Sequence, residues 1–273
     1  MKYTLITGAS GGIGEALAIK LATTKKHNLI LVARNAAKLA TLSAHLQDTY
    51  GVQASYIAAD LTKQESAFQI FDKTQKENWE INILVNNAGI GSGGAFASLN
   101  LQSELDLIQL NNTSLVAMTH LFMQPMCERK SGTIINVASM AAFIPVPYMA
   151  TYAASKVFVR SFTEAITEEC KPYNIQVMLF APGLTKTNFN EAAGINNEKG
   201  VGLSSDYQNA ETQTPEEVSD ELLKALDAKK HFQISGSNNR MGARLVSLLP
   251  NAMIARFMAN SYRKKSGLIQ LTS

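Results

Sequence analysis

Three residues in the second half of the chain have types and spacing that suit proton transfer. Ser139 follows a predicted strand, Tyr152 lies thirteen residues later, and Lys156 stands four residues beyond Tyr152. On a helix over 150–171, Tyr152 and Lys156 would share one face, and the ammonium would lower the pKa of the phenol from its ordinary value of about 10. Ser139 could hydrogen-bond a substrate oxygen as charge develops on it. Singly, these residues also fit a surface tyrosine and a solvated lysine, but their joint position favours general acid–base chemistry.

A glycine-rich turn stands near the start of the chain. Residues 7–14 read Thr-Gly-Ala-Ser-Gly-Gly-Ile-Gly, between a short β-branched run and an apolar helical run. Gly8 permits a tight turn, Gly12 lets the backbone approach a pyrophosphate, and Gly14 lets the helix pack close to the strand. Free N–H groups at the helix start favour phosphate. Alone, the turn also fits an ordinary strand-to-helix connection.

The second predicted strand ends in an arginine. A carboxylate in this region would bind the ribose 2′-hydroxyl of NAD, but Ala33 occupies it and Arg34 follows. A guanidinium pairs bidentately with a phosphate, so Arg34 favours NADP(H) over NAD(H). The alternative is that Arg34 caps a surface turn.

Polar and glycine-rich segments follow three further predicted strands. Asp60 is a candidate acceptor for an adenine amino group, and segment 86–89 suits a sharp turn beneath a cofactor. Segment 182–187 is a candidate for holding a nicotinamide carboxamide, and each segment alone also fits a plain loop. The predicted cofactor contacts are Gly8, Ser10, Gly12, Ile13, Gly14, Arg34, Asp60, Leu61, Asn87, Ala88, Gly89, Tyr152, Lys156, Pro182, Gly183, Thr185 and Thr187.

Short apolar runs alternate with helical patterns along the chain. The predicted strands are 2–7, 28–33, 54–59, 81–86, 132–138, 175–181 and 232–235, and the predicted helices are 12–24, 36–49, 63–78, 101–128, 150–171 and 215–229. This order predicts the α/β class, with a doubly wound parallel sheet of about seven strands and helices on both faces. Ligands of such sheets bind beyond the carboxyl ends of the strands, where the candidate residues lie.

With these features assembled, the chain resembles the short-chain dehydrogenase/reductase family, in its compact single-domain branch. The matching features are the 7–14 turn, Asp60, Asn86-Asn87-Ala88-Gly89, Asn111, Ser139, Tyr152, Lys156 and Pro182-Gly183, in family order over residues 1 to about 190. The resemblance implies a Rossmann-like fold and NAD(P)(H)-dependent interconversion of carbonyl and alcohol.

The same resemblance implies the roles of four residues. Tyr152 would be the acid/base, and Ser139 would polarise the reacting oxygen. Lys156 would bind the nicotinamide ribose and tune Tyr152, while Asn111 would hold a water that relays protons from Lys156. One departure concerns Gly11, where NADP-dependent members often carry a basic residue, so phosphate discrimination would rest mainly on Arg34 with help from Ser10.

We expect residues 1–236 to form a single Rossmann-like catalytic domain, with a substrate loop at 183–214 that is rich in Gly, Asn and Ser. Residues 237–273 are expected to be a basic amphipathic helical extension of that domain. The predicted substrate contacts are Met140, Phe143, Val146, Tyr148 and Phe189. This apolar set predicts a hydrophobic ketone or aldehyde of acyl, steroid-like or aromatic type.

The composition points to a globular protein of the cytoplasm. The 273 residues are 46% hydrophobic and 17% charged, and no apolar run approaches the length of a membrane span. Met1 leads directly into a predicted strand, so we expect no signal peptide. Cys127 and Cys170 lack metal-ligand spacing, and we expect neither a metal site nor a disulfide.

Basic charge is concentrated at the C-terminal end. Residues 228–273 hold eight of the 25 Lys and Arg and none of the 22 Asp and Glu, which leaves the first 227 residues at −5 and argues against a nucleic-acid-binding body. This part also carries two predicted apolar stripes, Leu245, Leu248 and Leu249 before Pro250 and Met253, Ile254, Phe257 and Met258 after it. The stripes could cover the substrate pocket or pack on a second subunit, or they could rest on an anionic membrane or carrier.

The leading interpretation is therefore an NADP(H)-dependent oxidoreductase for a hydrophobic carbonyl or alcohol, assembled as a homo-oligomer (a dimer or tetramer). The alternatives are a catalytically silent NAD(P)-binding regulator, an NAD-dependent alcohol dehydrogenase of the same fold, and a nucleotide-sugar epimerase or dehydratase. The complete Ser139, Tyr152 and Lys156 set argues against the regulator, since binding alone needs no such phenol.

Overall fold

Seven parallel strands form one sheet in this computed structural model, which describes residues 1–189 and 212–265. The strands are β1 (Lys2–Thr7), β2 (Asn28–Ala33), β3 (Ala54–Ala58), β4 (Glu80–Asn86), β5 (Gly132–Val137), β6 (Ile175–Ala181) and β7 (Phe232–Ile234). Their spatial order is β3-β2-β1-β4-β5-β6-β7. The strand predictions agree with these bounds to within a residue at each end.

The described helices lie in the connections between the strands and, for the last two, after β7. They are α1 (Gly12–Lys20), α2 (Ala36–Tyr50), α3 (Ser66–Lys76), α4 (Leu101–Ile108), α5 (Ser114–Glu128), α6 (Ala150–Cys170), α7 (Pro215–Asp227), α8 (Ser237–Val246) and α9 (Asn251–Lys265). The helix predicted over 101–128 is divided into α4 and α5 by a π-helical turn, Gln109–Thr113. A second π-helical turn, Leu21–Lys25, follows α1.

Helices cover both faces of the sheet because alternate side chains of each strand point to opposite faces. Ile6 of β1 packs in a core with α1, α2 and α7, whereas the preceding Leu5 packs in a second core with α3, α5 and α6. The side chains of Leu5 and Ile6 are both fully buried. The continuous apolar runs of the strands are explained by this two-sided burial, and the predicted α/β fold is confirmed.

The chain reverses its winding direction between β1 and β4, which are neighbours in the sheet. The connection after β1 leads towards β2 and the connection after β4 leads towards β5, so the two connections diverge at the carboxyl ends. A crevice at such a switch point is the usual ligand site of an open parallel sheet. The glycine turn and segment 87–89 stand at its two sides.

Helix α9 is amphipathic with a different inward face from the one predicted. Ile254 and Tyr262 are buried, and Met258, between them at four-residue spacing, packs in an apolar cluster with Tyr152. Met253 and Phe257 lie one position earlier in each turn and are exposed. The prediction of one shared stripe is therefore wrong, because a one-residue step turns a side chain by about 100° around a helix.

Part of the predicted substrate loop, residues 190–211, lies outside the described residues, as do residues 266–273. Over 1–189 and 212–265, no helix is long and apolar enough to cross a membrane. The same ranges contain no cluster of His, Cys, Asp and Glu side chains that could hold a metal ion.

Candidate active site

The glycine turn forms a cradle that side chains would fill. Gly8 and Gly12 have φ angles of +70° and +57°, which favour glycine. A Cβ on Gly14 would collide with the carbonyl oxygen of Gly8 and would lie 2.7 Å from Nδ2 of Asn87. Helix α1 begins here with no side-chain cap, so its first N–H groups are available to a phosphate.

Hydrogen bonds hold the two sides of the crevice together. Oγ1 of Thr7, at the end of β1, accepts from the backbone N–H groups of Asn87 and Ala88, each at 3.0 Å, and donates to the carbonyl of Val85. Nδ2 of Asn87 donates in return to the carbonyl of Thr7 at 2.9 Å. Thr7 is therefore a positioning residue, and the sequence analysis assigned it no role beyond its place in the turn.

Positive charge lies at the end of the crevice beside β2. Arg34 and Lys38 both line the cavity that contains the glycine turn, together with Ser10. Asn35 caps α2 by accepting from the backbone N–H of Lys38 at 3.0 Å, which fixes where this helix begins. Lys38 was not predicted as a site residue, although it stands only four residues after Arg34.

Asp60 is held in the turn after β3. Its Oδ1 accepts from the backbone N–H and the hydroxyl of Thr62, at 3.1 and 2.9 Å. Burial favours the neutral carboxyl, but the Thr62 bonds and the charges of Arg34 and Lys63 outweigh it and hold the pKa of Asp60 below its usual value. Neither Asp60 nor the buried Leu61 is among the residues that line the cavity.

Tyr152, Ser139 and Lys156 converge at the other end of the crevice. The Ser139 hydroxyl lies near enough to the Tyr152 phenol to lower its pKa, and Oγ of Ser139 accepts from the backbone N–H of Ala141 at 3.2 Å. Nζ of Lys156 lies 5.8 Å from the centre of the Tyr152 ring and donates to the carbonyl of Val137 at 3.1 Å. Helix α6 presents Tyr152 and Lys156 on one face, and both side chains are buried.

Burial shifts the pKa values of both side chains towards the neutral forms. It raises the pKa of Tyr152, and the Ser139 hydrogen bond offsets only part of that rise. Burial also lowers the pKa of Lys156 to about 8. The expected lowering of the Tyr152 pKa by the ammonium is therefore not seen, because in this buried site the desolvation of the phenolate is the larger effect.

Asn111 lies in the π-helical turn between α4 and α5. Its side chain bonds both backbone groups of Ile90, each at 3.0 Å, and also donates to the hydroxyl of Ser155 at 3.0 Å. Gly89 fits between Asn111 and Lys156, since a Cβ on it would lie 3.2 Å from Oδ1 and 3.4 Å from Nζ. Asn111 thus ties the loop after β4 to α6, and π-helical turns are frequent at functional sites.

One cavity of about 980 Å³ extends from the glycine turn and Arg34 to Ser139, Tyr152 and Lys156, and Asn111 is not among its lining residues. Its lining includes the predicted cofactor residues Gly8, Ser10, Gly12, Ile13, Arg34, Asn87, Ala88, Gly89, Tyr152, Lys156, Pro182, Gly183, Thr185 and Thr187. Gly14 shapes the cradle from behind without lining the cavity. A long crevice with a glycine cradle at one end and a buried tyrosine at the other fits an extended dinucleotide.

The apolar end of the cavity is built from separate parts of the chain. Met140, Val146 and Phe189 line it as predicted, and the Phe189 ring lies 5.5 Å from that of Tyr152. Met258 of α9 also lines it. This helix was expected to cover the substrate pocket, among other possible roles. Met258 was not predicted as the contacting residue, because an apolar helical stripe does not indicate which of its members meets the pocket.

Two predicted substrate residues face elsewhere. The Phe143 ring packs against Phe232 at 5.8 Å, under the guanidinium of Arg160, and Tyr148 is stacked on Tyr262 with ring centres 3.5 Å apart. Neither residue is among those that line the cavity. The short helical turn Met140–Ala142 and the left-handed backbone of Tyr148, with φ of +66°, turn these side chains away.

A family model described as short chain dehydrogenase matches residues 2–198, more than half of the 273. The chain belongs to the short-chain dehydrogenase/reductase family. The resemblance stated above is thus confirmed. Relatives of the chain are named as reductases and dehydrogenases, which are oxidoreductases.

Two relatives and one solved structure illustrate the similarity. The very-long-chain 3-oxoacyl-CoA reductase of Pyrenophora tritici-repentis is 34% identical over 189 residues, which are 68% of this chain and 55% of that protein. The NADP-dependent 3-hydroxy acid dehydrogenase of Schizosaccharomyces pombe is 29% identical over 235 residues, 86% of this chain and 90% of that protein. A short-chain dehydrogenase from Sphingobium yanoikuyae, solved in complex with NADPH, has 29% identity and a TM-score of 0.80, with 95% of this chain and 96% of that chain covered. The chain spans about half the length of the first curated relatives it matches.

Proposed function

We propose that this short-chain dehydrogenase is an NADP(H)-dependent reductase of a carbonyl group on a hydrophobic substrate, with Tyr152 as the acid/base. The observation that carries this proposal is the position of the Tyr152 hydroxyl. It is buried, lies beside Ser139, and opens into the same cavity as the glycine cradle and the apolar wall. A cofactor and a carbonyl substrate could meet at this point.

The chemistry assigned to the protein is orientation and proton transfer. A bound nicotinamide supplies the hydride. Tyr152, whose raised pKa keeps the phenol protonated at neutral pH, gives its proton to the developing alkoxide while Ser139 stabilises that oxygen. Lys156, with a pKa of about 8, is predominantly protonated at pH 7 and would bind the nicotinamide ribose and return a proton to Tyr152. A water held at Asn111 would connect Lys156 to solvent.

The preference for NADP(H) is assigned to the basic end of the crevice. Arg34 and Lys38 line it, with Ser10 beside the turn, and a ribose 2′-phosphate would meet both cations. A neutral ribose would gain nothing from this charge. The names of the related proteins support a nicotinamide cofactor. The Schizosaccharomyces pombe dehydrogenase is named as NADP-dependent, and the Sphingobium yanoikuyae structure contains NADPH.

The proposed substrate has an apolar part next to its carbonyl. Met140, Val146, Phe189 and Met258 supply a flexible apolar wall beside Tyr152. The cited relatives are named for 3-oxoacyl-CoA and 3-hydroxy acid chemistry. These observations favour an acyl-type carbonyl, with steroid-like and aromatic ketones as further members of the test panel.

The proposal is tested by following NADPH consumption with the purified chain. The panel contains medium- and long-chain 3-oxoacyl thioesters, a steroid ketone, an aromatic ketone and small polar ketones as matched controls. We expect reduction of at least one apolar carbonyl, slower reduction of the polar controls, and slower reaction with NADH. NADPH binding without turnover of any carbonyl or of the corresponding alcohols would instead support a cofactor-binding regulator.

A homo-oligomer is proposed for the face that α4 and α6 present. Leu101, Leu105 and Ile108 lie on one face of α4, and Val157 and Phe158 lie on α6, and all five are exposed. Burying such a face is the usual reason for helix pairing between subunits. Sedimentation velocity of the wild type and Leu105→Glu measures this directly, and a monomeric wild type would contradict it.

We also propose a cytoplasmic location and a single domain that includes the C-terminal helices. Both cysteines, Cys127 and Cys170, are free thiols, which fits a reducing compartment. The packing of Met258 against the same apolar cluster as Tyr152 fits an extension that belongs to the catalytic domain. Limited proteolysis that releases residues 237–273 without loss of the remaining fold would contradict the single domain.

A further inference from the structure

Six large apolar side chains of the C-terminal helices are exposed. We call them the outward face: Met241 and Leu245 of α8, Leu248 and Leu249 of the connection, and Met253 and Phe257 of α9. Leu248 is 80% exposed and Phe257 76% exposed. Singly exposed apolar residues are ordinary, but six within seventeen consecutive positions indicate a contact surface.

The outward face is not needed for packing among the described residues of the chain. On α8, Met241, Leu245 and Leu248 follow one another at spacings of four and three, which places them on one side, whereas Ala243 is buried on another. On α9, the inward residues Ile254, Met258 and Tyr262 already hold the helix to the body. The exposed side chains therefore remain available to a partner.

The exposed charges that α8 and α9 themselves carry are all basic. Arg244, Arg256 and Lys264 are exposed on the same two helices. No Asp or Glu occurs anywhere in residues 228–273. Apolar side chains flanked by Lys and Arg, without acidic residues, are the pattern by which amphipathic helices lie on anionic lipid.

We propose that the outward face docks on the surface of an anionic phospholipid bilayer, with Phe257 and Leu248 inserted among the acyl chains and the three cations at the headgroups. A second copy of the chain fits the surface less well. A two-fold contact through this face would bring each cation close to the same cations of the other copy, which repel. A bilayer has no such conflict.

Docking would bring helix α9, which forms one wall of the substrate end of the cavity, to the lipid surface. Met258, which lines that end, is the residue next to Phe257 in α9. A lipophilic carbonyl compound could then pass from the bilayer to Tyr152 with little exposure to water. This consequence rests on the proposed reductase function, whereas the docking itself does not depend on it.

The test is flotation of the purified full chain with two kinds of vesicle. One kind is phosphatidylcholine alone, and the other contains about 40% of the anionic lipid phosphatidylglycerol. We expect the wild type to float with the anionic vesicles at low salt, and much less with neutral vesicles or at high salt. Phe257→Ser should lower the bound fraction at least about 5-fold and Leu248→Ser/Phe257→Ser further, by the loss of apolar burial. Phe68→Ser is the matched control, because Phe68 is 55% exposed on the distant helix α3 and its variant should float like the wild type.

Three outcomes would overturn the docking proposal. The wild type could remain unbound to anionic vesicles at low salt, or the double variant could bind as well as the wild type. Thirdly, sedimentation without vesicles could show that the wild type self-associates and that the double variant does not. That result would mean that the outward face binds a second copy of the chain. NADPH titration of each variant separates this test from the proposed function, because retained cofactor binding with lost flotation concerns the outward face alone.

Discussion

The two ends of the cavity are built by different means. The cofactor end is made of backbone: Gly8 and Gly12 in left-handed conformations, and Gly14 pressed against the carbonyl of Gly8. The substrate end is made of side chains from distant segments, among them Val146 and Met258. Backbone requirements dictate the residue type at a position, whereas many apolar side chains can form a wall. The sequence therefore predicts the residues of the first end more completely than those of the second.

The largest effect is expected from a methyl group in the cradle. Gly14→Ala would place a Cβ against the Gly8 carbonyl and 2.7 Å from Nδ2 of Asn87, so α1 must move away from the turn. We expect about a 100-fold loss of NADPH affinity, because that factor corresponds to the free energy that severe overpacking usually costs. Cofactor fluorescence titration measures it, with circular dichroism to show that the sheet remains folded.

Gly11→Ala provides the matched control within the same turn. A Cβ on Gly11 meets nothing within 4 Å, and its φ of 174° is open to any residue. NADPH affinity should change by no more than a few-fold, by the usual range for a surface substitution. Equal losses in the two variants would show that the close approach at Gly14 is not what shapes the cradle.

The next effect concerns the charge at the 2′-phosphate. Arg34→Ala should weaken NADPH binding about 50-fold and leave NADH binding nearly unchanged, by the loss of a charge-assisted hydrogen bond. Lys38→Ala should act in the same direction with a smaller effect. Lys63→Ala is the control, since Lys63 lies near Asp60 but does not line the cavity. Preferential NADH binding by the wild type would reverse the assignment of Arg34.

A smaller effect is expected at the substrate end. Met258→Ala should raise the KM for an apolar carbonyl by about 10-fold, because the cavity wall loses several methylene-sized groups, with no change in NADPH affinity. Met253→Ala, an exposed substitution on the same helix, should leave both constants unchanged. Steady-state kinetics without vesicles distinguish the two variants. An equal increase of KM in Met258→Ala and Met253→Ala would mean that both substitutions act by destabilising α9, and not by changing the cavity wall.

The smallest effect is the pH dependence of stability. Burial lowers the pKa of Lys156 from 10.5 to about 8, which costs the folded state about 3 kcal/mol at neutral pH. Between these pKa values the unfolded chain binds more protons, so the contribution of Lys156 to stability improves as the pH rises. Lys156→Met should therefore be more stable than the wild type at pH 7, and this advantage should shrink by about 1 kcal/mol at pH 9.

Denaturant unfolding at the two pH values measures that difference. Lys73→Met, at an exposed position of α3, is the control and should follow the wild type at both. An advantage of Lys156→Met that is independent of pH would show that the ammonium is not held at a lowered pKa.

Much of the fold could be predicted because local pattern and global architecture agree. Seven apolar runs became seven strands, and the turn after β1 required glycine at fixed places. The division of the helix over 101–128 was missed because the π-helical turn Gln109–Thr113 has no distinctive composition. That turn nevertheless positions Asn111, whose importance was inferred from family resemblance and not from periodicity.

The directions of individual side chains could not be predicted from the sequence. Phe143 and Tyr148 share the segment of Met140 and Val146, yet a left-handed Tyr148 sends its ring to Tyr262. The pKa of Tyr152 likewise depends on how completely the phenol is buried, which spacing does not encode. Both properties arise from contacts between segments far apart in the chain.

The most direct test of the central claim is the turnover of Tyr152→Phe with NADPH and the most rapidly reduced carbonyl of the panel. The variant keeps the ring that packs against Phe189 and removes only the hydroxyl beside Ser139. We predict a loss of at least about 100-fold in kcat, the lower end of what general acid–base catalysis contributes, with unchanged NADPH affinity. Unchanged turnover in Tyr152→Phe would contradict the assignment of Tyr152 as the proton donor.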